Sequence, residues 1–191
     1  PTSVPHPQRA GTVTPPCLRA IVRDLSTGVT RTSSVSSSGV PANWGVFGSS
    51  VSISGDGTRV AFQTDADNLV PNDTNASADT FVFDLNTGVT ILASAPATSS
   101  HQPSPPDSPI ANFFDSSPAP NPVTGLSGDG RFVVFDSAAD NLVPNDTNAQ
   151  GDVFIRDLVT GATVIVSVTS DGAQGVRGSQ YPAISDDGLA V

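Results

Sequence analysis

The sequence has no glutamate, no lysine and no methionine: its 18 acidic residues are all aspartate and its eight basic residues all arginine. That absence removes most of the strong helix formers. Val, Thr, Phe and Ser, punctuated by 17 Gly and 17 Pro, take their place, and these are the residues of strands and turns. An all-β protein is expected. Cys17 is the single cysteine, which excludes an internal disulfide framework and a thiolate metal cluster and leaves an inert thiol. Clustered basic residues are missing too. With a net charge of −10 and scattered arginines, the chain has no surface to displace counterions from phosphates, so nucleic acid is not an expected partner. An acidic, lysine-free surface suits cation binding or a secreted protein in contact with salts. No apolar run approaches the roughly 18 residues of a membrane helix and no signal-peptide pattern is present, so no membrane span is expected. Position 1 is Pro rather than Met, which reads as a processed chain or a fragment, with an extracellular or periplasmic location.

Catalytic signatures are equally scarce. The two histidines, His6 and His101, lie in Pro-rich stretches, whereas a general base needs a fixed position. There is no G-x-S-x-G elbow, H-E-x-x-H helix or P-loop. No catalytic residue is assigned and no enzyme is expected; a hydrolase using carboxylates that converge in a channel is the weaker alternative.

What the chain does contain is a repeat. Residues 54–94 match 127–167 without a gap, at a constant offset of 73 and with 25 of 41 positions identical. A repeat of this size decides architecture before any local pattern does. A partial copy precedes the two: IVRDLSTG at 21–28 matches FVFDLNTG at 81–88 and FIRDLVTG at 154–161. Another follows, as YPAISDDGLAV at 181–191 restarts the SxDGxxV pattern. Each full copy divides into four short strands. VSIS (51–54) and RVAF (59–62) flank a Gly-Asp-Gly turn in which Gly supplies positive φ. NLVPNDTN is a polar loop. TFVFDL then makes the third strand, an Asn-Thr-Gly turn follows, and VTILAS makes the fourth.

This pattern, SxDGxxVxF followed by a polar loop, DxFxxDLxTG and a final strand, resembles the propeller repeats of the TolB-like family, relatives of the WD-repeat propellers. The resemblance runs from about Leu18 to Val191. It implies β-propeller blades of four antiparallel strands: two full blades plus two half-blades, an incomplete ring, since the smallest ordinary propeller has about four. The expected organisation is a Pro-rich arm (1–17), the last strands of a first blade and a link (18–50), a full blade (51–95), a Pro-rich inserted loop (96–122), a second full blade (123–170), and a link with the start of a further blade (171–191). Within the inserted loop Ile110, Phe113 and Phe114 form an apolar anchor that pins the loop or meets a partner.

Half-blades leave strand edges and apolar faces uncovered. The chain is therefore expected to be a non-enzymatic binding or structural module, completed by more chain or by another subunit. The partner is then another protein, or another copy joined through half-blade edges. Head-to-tail contact of that kind gives rings or filaments, so a self-assembling extracellular structural protein is the alternative.

One polar motif recurs in both full copies. Asp73, Asn75 and Asp79, and equally Asp146, Asn148 and Asp152, share the spacing DxNxxxD. Calcium takes six to eight oxygen ligands at about 2.4 Å, and two carboxylates with one amide at these spacings converge if the loop turns back on itself. Hard oxygens without His or Cys disfavour zinc and copper. The motif departs from the EF-hand: its fifth position is not acidic, and the first copy has no Gly at the sixth. Asp84 and Asp157 fall at the twelfth position, but in or just after a strand. The competing role is structural, because Asp and Asn in such loops bond their own backbone and cap strands. Asp24, Asp84 and Asp157, each before Leu-x-Thr-Gly, are expected to accept backbone or Thr hydrogen bonds at a hairpin turn. Asn72, Asn75 and Asn145 begin N-x-S/T sequons.

Overall fold

The computed structural model describes residues 18–47, 50–73, 77–95, 125–148 and 150–191. The Pro-rich arm with His6 and Cys17, Asn75, and the inserted loop with His101, Ile110, Phe113 and Phe114 lie outside the described residues.

Among the described residues there is no helix, as the lack of helix formers demands, and therefore none long and apolar enough to cross a membrane. Ten strands form three antiparallel sheets. The first holds β1 (Ile21–Arg23) and β2 (Thr30–Thr32). The second runs in the order β3 (Ser52–Ile53), β4 (Arg59–Thr64), β5 (Asp79–Asp84), β6 (Thr90–Leu92). The third repeats it with β7 (Gly125–Leu126), β8 (Phe132–Ser137), β9 (Asp152–Asp157) and β10 (Thr163–Ile165). The offset of 73 survives into register: Phe62 pairs with Phe81 as Phe135 pairs with Phe154. Both aromatic pairs stack with centroids 5.9 Å apart.

The central strands β4 and β5 are buried along nearly their whole length, because the second sheet is covered on both faces. Val60, Phe62, Phe81 and Leu92 pack with Ala20, Ala42 and Val46 from the segment around β1 and β2. On the opposite face Ala61, Val82 and Ala93 meet Leu126 and Val133 of the third sheet. The counterparts of that second face are Val134, Ile155 and Val166. Val134 is fully buried, but Ile155 and Val166 are only partly so.

Turns carry the contact from unit to unit. The closing glycine of each turn takes the positive φ that the sequence requires, 69° at Gly57 and 67° at Gly130 in Gly-Asp-Gly, and 72° at Gly188 in Asp-Asp-Gly. The first glycine has another reason. A Cβ on Gly55 would lie 3.1 Å from the Gly128 Cα, and one on Gly128 would lie 2.9 Å from the Asp186 carbonyl oxygen. This close approach lets Asp56 N–H donate to Gly128 O at 2.8 Å and Gly128 N–H donate to Asp186 O at 2.8 Å. Each turn is also closed internally by its serine, with Ser54, Ser127 and Ser185 donating to Asp56, Asp129 and Asp187 at 2.6, 2.7 and 2.6 Å.

Residues 181–191 repeat the turn, with Ser185 N–H donating to Ala190 O at 2.9 Å, without a strand among the described residues. The described residues of the NLVPNDTN segments form loops, as expected, but are less polar in space than in sequence. Leu69 and Leu142 are 2% and 0% exposed: the Leu-Val pair of each loop folds back to close one end of the core.

Candidate functional site

The DxNxxxD loops join the second and third strands of each four-stranded sheet, and the last Asp of each motif opens the third strand. Asp79 pairs with Thr64 and Asp152 with Ser137 at the ends of their ladders. From there each carboxylate accepts a hydroxyl from just beyond the fourth strand, Ser94 Oγ at 2.5 Å and Ser167 Oγ at 2.6 Å. The same serines accept the N–H groups of Thr80 and Val153 at 3.1 and 3.0 Å. This is the capping role open to Asp in such loops: one carboxylate ties the third strand to the fourth.

The two copies then diverge. In the first, Asp73 and Asp79 are both buried, and Asn75 lies outside the described residues. In the second, Asp146, Asn148 and Asp152 are all placed. Asn148 Oδ1 accepts Gln150 N–H at 2.9 Å, and its Nδ2 donates to Gly175 O at 3.1 Å. Thr147 N–H donates to Gln174 Oε1 at 3.0 Å, Gln174 Nε2 returns a bond to Asn145 O at 2.7 Å, and Ser179 N–H donates to Gly151 O at 2.8 Å. The loop is thus braced along 174–179. Behind this brace, both carboxylate oxygens of Asp146 and Oδ2 of Asp152 are buried without a hydrogen-bond partner.

Electrostatics follow from that geometry. Burial, and next the neighbouring Asp152 charge, push the Asp146 carboxyl above the ordinary range, while the Asn148 backbone N–H works against them without a hydrogen bond of good geometry. Among the described residues no three His, Cys, Asp or Glu side chains gather into a metal-holding group. An open cleft of about 820 Å³ flanks the loop, lined by Asn145, Thr147, Asn148, Ile165 and Gln174.

The aspartates before Leu-x-Thr-Gly sit at hairpin turns, as expected. Asp24 Oδ1 accepts Ser26 and Thr27 N–H, Asp84 Oδ1 those of Asn86 and Thr87, and Asp157 Oδ1 those of Val159 and Thr160. Two of them also hold arginines, Arg59 to Asp84 at 3.2 Å and Arg131 to Asp157 at 2.7 Å. The Arg131 hydrogen bond is the main reason the Asp157 carboxyl lies far below the usual range.

A buried arginine and a half-buried aspartate escape a reading of motifs. Arg156, 3% exposed, donates across the sheets to Ala95 O at 2.7 Å and to Thr163 Oγ1 at 2.9 Å; burial lowers its pKa. Asp136 has Oδ1 buried without a partner, and burial pushes its carboxyl up. The signal for Asp136 is in the alignment of the copies. Its counterpart Gln63 donates to Thr80 Oγ1 at 3.1 Å, and the second copy has Val153 where Thr80 would be.

Neither a protein-family profile nor a curated protein sequence matches the chain. Among solved structures it is similar to TolB from Acinetobacter baumannii, at 16% identity and a TM-score of 0.42, over 89% of this chain and 30% of that one. Similarity to an oligogalacturonate lyase from Vibrio parahaemolyticus is lower, at 9% identity and a TM-score of 0.21 over 78% of this chain and 48% of the lyase. The chain therefore spans less than half the length of either.

Proposed function

We propose that the sheets β3–β6 and β7–β10 are consecutive blades of a β-propeller, and that the chain works as a non-enzymatic, TolB-like binding or structural module. One observation carries this reading. Successive turns, Gly-Asp-Gly at 55–57 and 128–130 and Asp-Asp-Gly at 186–188, are joined by main-chain hydrogen bonds of 2.8 Å from Asp56 to Gly128 and from Gly128 to Asp186. Sheets that touch at one edge while their faces bury Ala61, Val82, Leu126 and Val133 fan out about that edge, as blades do about a channel. The order of the TolB-like motifs along the sequence supports it as well.

A crystal structure tests the reading. Consecutive sheets should be related by a rotation of about 45–90°, the spacing of eight- to four-bladed rings, about an axis beside these turns. Two sheets packed as a sandwich, with no such axis, would overturn it.

A second reading, self-association, draws on the partly buried Ile155 and Val166, whose counterparts Val82 and Ala93 are fully buried. Another blade laid on this face would finish their burial. If that blade comes from a second copy, light scattering gives a mass above 19.4 kDa, and Ile155→Arg returns it to the monomer value. A monodisperse monomer for the unaltered chain at all concentrations removes this reading.

A further inference from the structure

We propose that the second DxNxxxD loop binds one divalent cation, calcium in preference to magnesium, between Asp146 and Asp152. The reasoning starts from three carboxylate oxygens. Asp146 Oδ1, Asp146 Oδ2 and Asp152 Oδ2 are buried with no hydrogen-bond donor, and Asp152 is 0% exposed. A buried ionised carboxylate without compensation is among the most costly groups in a folded protein. Asp146 has no such compensation on either oxygen and feels the charge of Asp152 besides, and a doubly charged cation between the two offsets both terms.

The loop is built to hold such an ion. Asp152 is fixed through its other oxygen by Ser167 Oγ, so Oδ2 has a set direction. Asn148 accepts Gln150 N–H, and its amide oxygen keeps a second lone pair. The brace along 174–179, through Thr147, Gln174 and Gly151, holds the loop main chain in place. Three carboxylate oxygens are about half of the six to eight that calcium takes, with loop carbonyls and water for the rest. Magnesium sheds water reluctantly and requires near-octahedral geometry, so a loop that replaces water with protein oxygens favours calcium.

The first loop carries no such proposal. Asp73 and Asp79 are engaged and Asn75 lies outside the described residues. The inference does not depend on the propeller reading, because it uses a single loop and its brace. Its structural consequence is a clamp: the ion would secure Asp146, and with it the stretch 174–179 bonded to Thr147 and Asn148, to the start of β9.

The test uses the full chain stripped with a chelator and then titrated with calcium chloride, followed by calorimetry and by thermal melting. Calcium at 100 times its Kd should raise the Tm by about 5–10 °C, and magnesium at the same concentration by clearly less. Asp146→Asn, which removes a carboxylate with no internal hydrogen bond, should weaken calcium binding by about tenfold or more and cut the shift to about half or less at the same calcium concentration. Asp73→Asn should leave both unchanged. Asp152→Asn serves as a second variant, with folding checked by circular dichroism because Asp152 also holds Ser167. An absent heat and Tm shift would overturn the site and point to carboxyls sharing a proton. Calcium binding that Asp146→Asn leaves intact would overturn its location. Equal shifts with magnesium would overturn the preference.

Discussion

Substituting Gly128 by alanine tests the contact between units at its tightest point. The added Cβ would sit 2.9 Å from the Asp186 carbonyl oxygen and 3.2 Å from the Asp186 Cβ. Its nearest obstacle is backbone, which cannot swing aside as the end of a long side chain can. Overpacking of this kind costs about 1–3 kcal/mol. Relief by separation of the turns would strain the bonds from Asp56 to Gly128 and from Gly128 to Asp186, each worth about 1 kcal/mol. Alanine returns about 0.4–1 kcal/mol by restricting the unfolded chain, so the net loss is about 2–3 kcal/mol. With a urea m-value of about 2 kcal/mol/M, the unfolding midpoint should fall by about 1–1.5 M. Gly39→Ala is the control. Its φ is +81° and nothing lies within 4 Å of the added Cβ, so it bears only a left-handed backbone cost of about 1 kcal/mol. Amide exchange separates the two: the Asp56 and Gly128 amides should lose protection in Gly128→Ala and keep it in Gly39→Ala. A Gly128→Ala midpoint within about 0.2 M of the unaltered chain, roughly 0.4 kcal/mol at that m-value, would refute the close approach.

Other substitutions probe the core and the charges. Phe62→Ala and Phe135→Ala remove equivalent buried rings, and each should cost about 3–5 kcal/mol in urea unfolding; a loss below 1 kcal/mol at either would contradict the packing. Asp136→Asn removes a half-buried carboxylate whose Oδ1 has no partner and should stabilise by about 1 kcal/mol at pH 7. Because the folded Asp136 carboxyl is raised, its cost appears as pH rises past the unfolded value near 3.9, so the gain should vanish by about pH 3. Asp84 and Asp157 have the opposite sign. Their folded carboxyls are lowered, so the stability they add is present above about pH 4 and is lost as pH falls further. Arg131→Gln should flatten that acid limb in a urea midpoint series, and an unchanged limb would remove Arg131 as its cause.

Strand order and register were legible because the two copies constrain each other. A single stretch such as RVAFQT is ambiguous, but the same alternation 73 residues later, with Phe62 and Phe81 answered by Phe135 and Phe154, leaves one pairing. The hairpin aspartates were legible for a local reason, since Asp, Thr and Gly at fixed spacing close their own turn. Burial of Leu69 and Leu142 was not, because two apolar residues among Asn, Asp and Pro show no period, and only tertiary packing turns them inward. The close approach at the first glycine of each Gly-Asp-Gly turn was not legible for a related reason. The glycine's neighbour is another turn more than 50 residues away, and sequence spacing does not report such an approach. At the DxNxxxD loops the residues were visible, but their division of labour was not. Ser167, which fixes Asp152, stands 15 residues on, and Gln174, which braces Thr147, stands 27 residues on.

The stacking of successive units is tested most directly by nuclear Overhauser contacts between their turns. A Cβ on Gly55 would lie 3.1 Å from the Gly128 Cα, and one on Gly128 3.4 Å from the Asp186 Cα. The α-protons of Gly55 and Gly128, and those of Gly128 and Asp186, should therefore give strong cross-peaks. Clear cross-peaks within each sheet, between Ala61 and Val82 or between Val134 and Ile155, with none joining these turns, would contradict the account.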